Sequence, residues 1–224
     1  MAGSKLYLLG NQERHDVLKR SLSRDERGFT LIELGVTLTV MTILLLMVVP
    51  SFVGWMNNSK VRSVAEGLQN GLRAAQAEAI RRSHQTAFVL TGAAPKVDTP
   101  ASTTGSGSNW YIEVLPVYTG ETVDTPFVEG GSFSNLAPGV NITATPAAAS
   151  LVCFNSMGRL VANNDATTTK NFGTTCTAPT GNITYDVTLT GATHPLRVLV
   201  GLGGQVRMCD TTRTLSPTVP DGCP

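Results

Sequence analysis

Nineteen consecutive residues without a charge, Leu34–Phe52 (LGVTLTVMTILLLMVVPSF), constrain this chain more than any other feature. As a helix rising 1.5 Å per residue, such a run reaches across the roughly 30 Å hydrocarbon core of a bilayer. Arg14, Lys19, Arg20, Arg24 and Arg27 precede it. A basic flank stays on the cytoplasmic side, so the remainder of the chain is expected outside. No small-residue cleavage site follows the run, which passes through VVPSFVGWMNNSK into a helical pattern. A retained anchor is therefore expected rather than a secretory signal removed after the run. One acid, Glu33, stands at the start of the apolar block. An unpaired carboxylate there costs about 2.5 kcal/mol at mid-membrane and less near the interface, so it calls for a partner. A cut between Gly28 and Phe29 would create a terminal ammonium, which Glu33 of a neighbouring, axially staggered copy would neutralise.

The residues around that cut, Arg27-Gly28-Phe29-Thr30-Leu31-Ile32-Glu33-Leu34, resemble the class III leader of type IV pilins and type II secretion pseudopilins. The resemblance implies that a prepilin peptidase cleaves after Gly28 and methylates the new amine of Phe29. It further implies that Glu33, the fifth mature residue, sets the register between neighbouring subunits of a filament. Pro50 falls where pilins commonly carry a helix-disrupting proline; its missing N–H and its clash with the preceding turn predict a kink or local melting over Met47–Pro50. A leader of 28 residues is longer than the resemblance suggests, but the mature product does not depend on where translation starts.

Beyond the apolar run, Val61, Val64, Ala65, Leu68, Leu72, Ala75 and Ala79 recur at spacings of three and four. Arg62, Glu66, Gln69, Arg73, Gln76 and Arg82 fall mostly on other faces, as an amphipathic helix requires. A helix from Phe29 to about Arg82 would be roughly 80 Å long, half in lipid and half against a globular domain. After His84 the pattern changes to short β-branched or alternating runs bounded by Gly, Pro, Asn and Thr. Expected strands are Thr86–Thr91, Trp110–Leu115, Val140–Thr143, Leu151–Phe154, Asn182–Leu189, Leu196–Val200 and Gln205–Met208, with Lys96–Ser108 and Asn163–Thr175 as exposed loops.

Cys153, Cys176, Cys209 and Cys223 all lie in the last third of the chain. An even count in loop-rich surroundings points to two disulfides and an oxidising compartment, and the spacings match no zinc pattern. Three connectivities are open. Sequential pairing, Cys153 with Cys176 and Cys209 with Cys223, closes two short loops and is the expected one.

Net charge is only +1, and residues 1–28 hold six basic against four acidic side chains, so the rest of the chain is near neutral. A strongly basic nucleic-acid binder would leave a larger footprint. Neither a nucleophile elbow, nor HExxH, nor a phosphate-loop lysine occurs, and no cofactor or metal is expected. Gly201-Leu202-Gly203-Gly204 is read as a hairpin turn, since no helical pattern follows it. His84 and His194 are read as surface or capping residues.

A long helix followed by two small, mostly antiparallel sheets resembles the GspH/FimT/FimU group of the pilin family. The local echoes are Leu72-Arg73-Ala74-Ala75-Gln76-Ala77-Glu78-Ala79-Ile80-Arg81-Arg82, Val152-Cys153-Phe154-Asn155-Ser156-Met157-Gly158-Arg159-Leu160 and Gly204-Gln205-Val206-Arg207-Met208-Cys209. The expected fold is thus α+β and type IV pilin-like. Its expected parts are a cleaved leader (1–28), a membrane and filament-core helix (29–56), an amphipathic half (57–84) and a periplasmic β head (85–224). The function implied is that of a minor pilin in the priming or tip complex of a type IV pilus. Its partners would be the prepilin peptidase, other minor pilins, the major pilin and the inner membrane. Two alternatives stand beside it: a minor pseudopilin of a type II secretion system, and a DNA-binding pilin for natural transformation. For the latter, Arg197, Arg207 and Arg213 are the candidate phosphate contacts. The family motif there is Gly-Arg-x-Arg; here Gln205 replaces the first arginine, and the other reading is of solvated arginines on a sheet edge.

Overall fold

The computed structural model describes residues 28–116, 118, 120–163, 172–177 and 179–224, without the side chain of Pro50. The expected leader up to Arg27 and most of the expected loop 163–175 lie outside the described residues. One helix, α1, is assigned from Leu31 to Arg82. Two compact units divide the chain, the first ending at Val48 and the second beginning at Val49.

In the first unit α1 opens at Thr30, whose hydroxyl accepts the Glu33 N–H at 3.2 Å, an N-cap bond that satisfies one of the helix's unpaired donors. The apolar side chains from Phe29 to Val48 are exposed all round. Within the helix, Thr37, Thr39 and Thr42 donate to the carbonyls of Leu34, Gly35 and Leu38 at 2.9, 2.8 and 2.8 Å. A hydroxyl bonded back to its own helix is tolerated in an apolar solvent, where an unmatched one is costly. The helix is long and apolar enough to cross a membrane. The helix runs through residue 50.

In the second unit the stripe Val61, Val64, Ala65, Leu68, Leu72, Ala75 and Ala79 is fully buried. It packs with the inner faces of two five-stranded sheets. The first sheet has the order β3-β2-β1-β5-β6, built from β1 (Thr86–Thr91), β2 (Asn109–Val114), β3 (Phe127–Ser132), β5 (Leu151–Phe154) and β6 (Leu160–Val161). The second has the order β10-β9-β8-β7-β4, from β4 (Asn141–Thr145), β7 (Ile183–Thr188), β8 (Leu196–Val200), β9 (Val206–Thr214) and β10 (Gly222–Cys223). All pairings are antiparallel except β9 with β10. The fold is α+β: a long N-terminal helix packed on a mostly antiparallel head. The Gly201–Gly204 segment is a β8–β9 hairpin turn, closed by Gly201 N–H to Gln205 O at 3.0 Å.

Phe127–Ser132, a strand, and the short helix α2 (Phe133–Leu136) are elements the periodicity did not show. The expected exposed loop Lys96–Ser108 needs correction as well. Thr99 and Ala101 are buried, because this loop covers the outer face of the first sheet, where Ala87, Val89, Tyr111, Leu115, Leu151 and Cys153 form a second apolar cluster. Tyr111 fastens it by donating its hydroxyl to Thr99 O at 2.5 Å. Phe172, in the other expected loop, is buried in the same cluster. Apolar side chains on both faces of β1 and β2 require covering on both sides.

Candidate functional site

Three places on the chain carry chemistry: the start of α1, the carboxy-terminal arginines, and a groove beside residues 55–62. At the first, Gly28 and Phe29 lie ahead of the helix and are exposed, and Glu33 occupies its first turn. Thr30 and Glu33 stand at the cap and third positions, the spacing of a capping box. A local role for Glu33 at the helix start therefore accompanies any role between subunits. It is the only ionisable side chain from Phe29 to Ser59.

The cysteines are joined as Cys153–Cys176 and Cys209–Cys223. The first pins the segment bearing Phe172 to β5, and the second holds the tail against the outer face of β9 beside Leu199.

The three candidate arginines are held by different partners. Arg197 on β8 makes a two-pronged pair with Asp186 on β7, Nε to Oδ1 at 2.6 Å and Nη2 to Oδ2 at 3.0 Å. Arg213 donates to Asp221 at 2.8 Å and lies 4.0 Å from Asp210. Arg207 donates from Nη2 to the carbonyl oxygens of Pro220 and Gly222, which leave its charge unpaired by these contacts. A phosphate approaching this face meets one cation without a carboxylate partner and two already neutralised.

Both described histidines, His84 and His194, have defined partners. His84, just past α1, places Nδ1 2.8 Å from Arg82 O and Nε2 3.2 Å from a Glu121 carboxylate oxygen. The Arg82 carbonyl and then Glu121 raise its pKa above the ordinary 6.5. His194 lies 3.1 Å from Asp210, whose carboxylate also accepts the Thr212 N–H and hydroxyl at 2.8 and 2.6 Å. Glu113 is buried on the outer face of β2 and accepts the Asp98 N–H at 3.1 Å. Burial pushes its pKa up to about 7, with the Asp98 carboxylate adding to the rise. Among the described residues, no group of three or more His, Cys, Asp or Glu is placed to hold a metal ion.

The groove, of about 460 Å³, runs between α1 and the β8–β9 end of the head, and Trp55, Asn58, Arg62, His194, Asp210 and Asp221 give it its polar character. Sequence reasoning missed it, because its residues come from four separate stretches, 55–62, 194–196, 208–210 and 221. The local signal was Asn57-Asn58 directly after the apolar run. Asn58 Oδ1 accepts the N–H groups of Thr193 and His194 at 2.8 and 3.1 Å, and its Nδ2 donates to Thr193 Oγ1 at 3.0 Å. Asn57 adds a bond to Thr190 O at 3.4 Å.

Residues 23–49 match the family model described as the prokaryotic N-terminal methylation motif. The chain is similar in fold to the type IV minor pilin FimU of Pseudomonas aeruginosa in two crystal forms, at 15% identity. One comparison covers 75% of this chain and 98% of that one with a TM-score of 0.45. The other covers 72% and 98% with 0.43. It is also similar to EpsH, the minor pseudopilin of the type 2 secretion system of Vibrio cholerae, at 13% identity over 67% of this chain and 97% of that one, with a TM-score of 0.38. No curated protein matches the chain.

Proposed function

We propose that this chain is a minor pilin of the GspH/FimT/FimU kind, made as a membrane precursor, cleaved after Gly28, methylated on Phe29 and packed into the priming or tip complex of a type IV pilus. The observation that carries this reading is the methylation motif over residues 23–49, which contains Gly28, Phe29 and Glu33 and runs into the charge-free stretch from Leu34 to Ser59. In this reading the apolar helix holds the precursor in the inner membrane and packs laterally in the filament, Pro50 loosens the helix between those two settings, and Glu33 fixes the axial register against a neighbour's terminal amine. The head, on the periplasmic side, meets other minor pilins and the major pilin.

The arginine geometry gives less support to a DNA-uptake role, since Arg197 would have to leave its two-pronged pair with Asp186 to meet phosphate. The test is deletion of the gene followed by parallel assays of surface pili, protein secretion and transformation, with Glu33→Ala restored in its place. Loss of pili alone supports the proposal. Loss of secretion alone transfers the chain to a secretion system, and loss of transformation with normal pili transfers it to DNA uptake.

A further inference from the structure

We propose that the groove beside residues 55–62 binds the zwitterionic headgroup of an aminophospholipid, its phosphate against Arg62 and its primary ammonium between Trp55 and Asp221. This rests on the reading of residues 29–56 as a membrane helix.

Position along the chain is the first argument. The charge-free run ends at Ser59, and Phe52 and Trp55 pair their rings at 5.8 Å on its last turns. Trp55 is 65% exposed, and exposed aromatic residues of this kind sit at the level of lipid headgroups. The groove begins at Trp55, so it opens at the depth where phosphate and ammonium groups lie.

Charge is the second. Arg62 is the cation on the helix wall, and Asp210 and Asp221 are the anions on the opposite wall. A pure anion would face two carboxylates, and a pure cation would face the guanidinium; a ligand bearing both charges meets an opposite charge at each end. The native partners of the two outer groups are loosely held. Arg62 pairs with Glu66 and Asp221 with Arg213 while their side chains stay 68% and 55% exposed, and such surface pairs are worth at most about 1 kcal/mol. Exchanging them for a headgroup costs little. A primary ammonium also brings three donors to Asp221 and a cation to the Trp55 face.

Rigidity is the third. Asn58 fastens the 193–194 turn to α1, the Cys209–Cys223 bridge fixes the tail, and Asp210 N–H donates to Asp221 O at 2.8 Å. Both walls are in place before a ligand arrives, which lowers the ordering cost of binding. Leu196 and Met208 supply an apolar floor for the glycerol carbons, and the volume falls within the ordinary range for small-ligand sites, about 300–1,000 Å³.

The experiment uses the full chain, reconstituted separately in phosphatidylethanolamine–phosphatidylglycerol and in phosphatidylcholine–phosphatidylglycerol vesicles, then released into gas phase so that retained lipids are weighed. Retention of phosphatidylethanolamine over phosphatidylcholine by about tenfold is the expected result, with the preference reduced to parity by Asp221→Asn, total retention of phosphatidylethanolamine lowered about tenfold by Arg62→Gln, and neither changed by Arg159→Gln on the β5–β6 turn. Equal retention of both lipids by the wild-type chain, a preference that Asp221→Asn keeps, retention that Arg62→Gln leaves unchanged, or occupation of the groove by a second copy of the chain would overturn it. A chain that inserts into both vesicles but retains neither lipid overturns the headgroup site alone. Failure to insert at all overturns the membrane reading beneath it.

Discussion

Gly204, in the β8–β9 turn, lies so close to the Gly158 carbonyl that a Cβ built on it would stand 1.8 Å from that oxygen. Its φ of +88° is also one that L side chains rarely adopt. This contact joins the β5–β6 turn to the β8–β9 turn, with Gln76 of α1 donating to the same carbonyl at 2.8 Å. Gly204→Ala is expected to destabilise the head by at least about 3 kcal/mol through clash and backbone strain together. Thermal unfolding measures it; a midpoint within a degree of wild type would contradict the packing.

The His84 ring presents both nitrogens to acceptors, a backbone carbonyl and a carboxylate. Both bonds form only when the ring is doubly protonated. Since the folded pKa lies above 6.5, the contribution of this clasp is fully present below that pH and is lost as pH rises through the higher folded value. The charged groups around it are Glu78, Arg81 and Arg82 at the end of α1 and Glu121 and Asp124 in the facing segment. Protection of the amides across residues 120–126, corrected for the intrinsic base-catalysed rate, is expected to fall as pH rises above 6.5, and His84→Gln should remove that fall. Protection independent of pH in the wild-type chain would count against the clasp.

Glu113 adds a second titration with the same sign. Its carboxyl is held protonated up to about pH 7 by burial, against an ordinary value of 4.5. Stability from the neutral form is complete below 4.5 and fades as pH climbs through about 7. Glu113→Gln, which keeps shape and hydrogen bonding without ionising, should flatten the fall in melting temperature between pH 5 and pH 8 that the wild type shows, values chosen roughly to bracket the transition. An unchanged slope would mean the carboxyl is hydrated.

The longer-range features were the least legible from sequence. Spacing alone identified the buried stripe from Val61 to Ala79, because one amphipathic helix carries its own period. Phe127–Ser132 carries two adjacent glycines, Gly130 and Gly131, which weaken a strand pattern in the sequence. In the fold those glycines admit close neighbours: a Cβ on Gly130 would lie 2.9 Å from Trp110 O, and one on Gly131 would lie 3.0 Å from the Trp110 indole nitrogen. The strand exists because its partner's large ring needs that space. β9 runs on to Thr214 for a similar reason, since Gly222 and Cys223 return alongside it. At the sites, the Gly28-Phe29 to Glu33 motif is contiguous and therefore readable. The engagement of Arg197 by Asp186 depends on strand register, and the groove on residues up to 166 positions apart, Trp55 and Asp221.

The Cys209–Cys223 bridge closes a separation of 14 residues, worth about 3 kcal/mol by loop entropy. Cys223→Ser should free the tail beyond Asp210, where β9 loses its pairing with β8, while α1 and the first sheet stay folded. Limited proteolysis would then clip within residues 211–224 and leave a folded core. Protection of that tail would show that packing alone holds it.

The account turns on what happens at Gly28 and Phe29, and the mass of the mature chain recovered from native membranes or filaments reads it directly. A terminus at Phe29 with one added methyl group is the predicted result. A chain that keeps residues 1–28, or starts anywhere else, contradicts it.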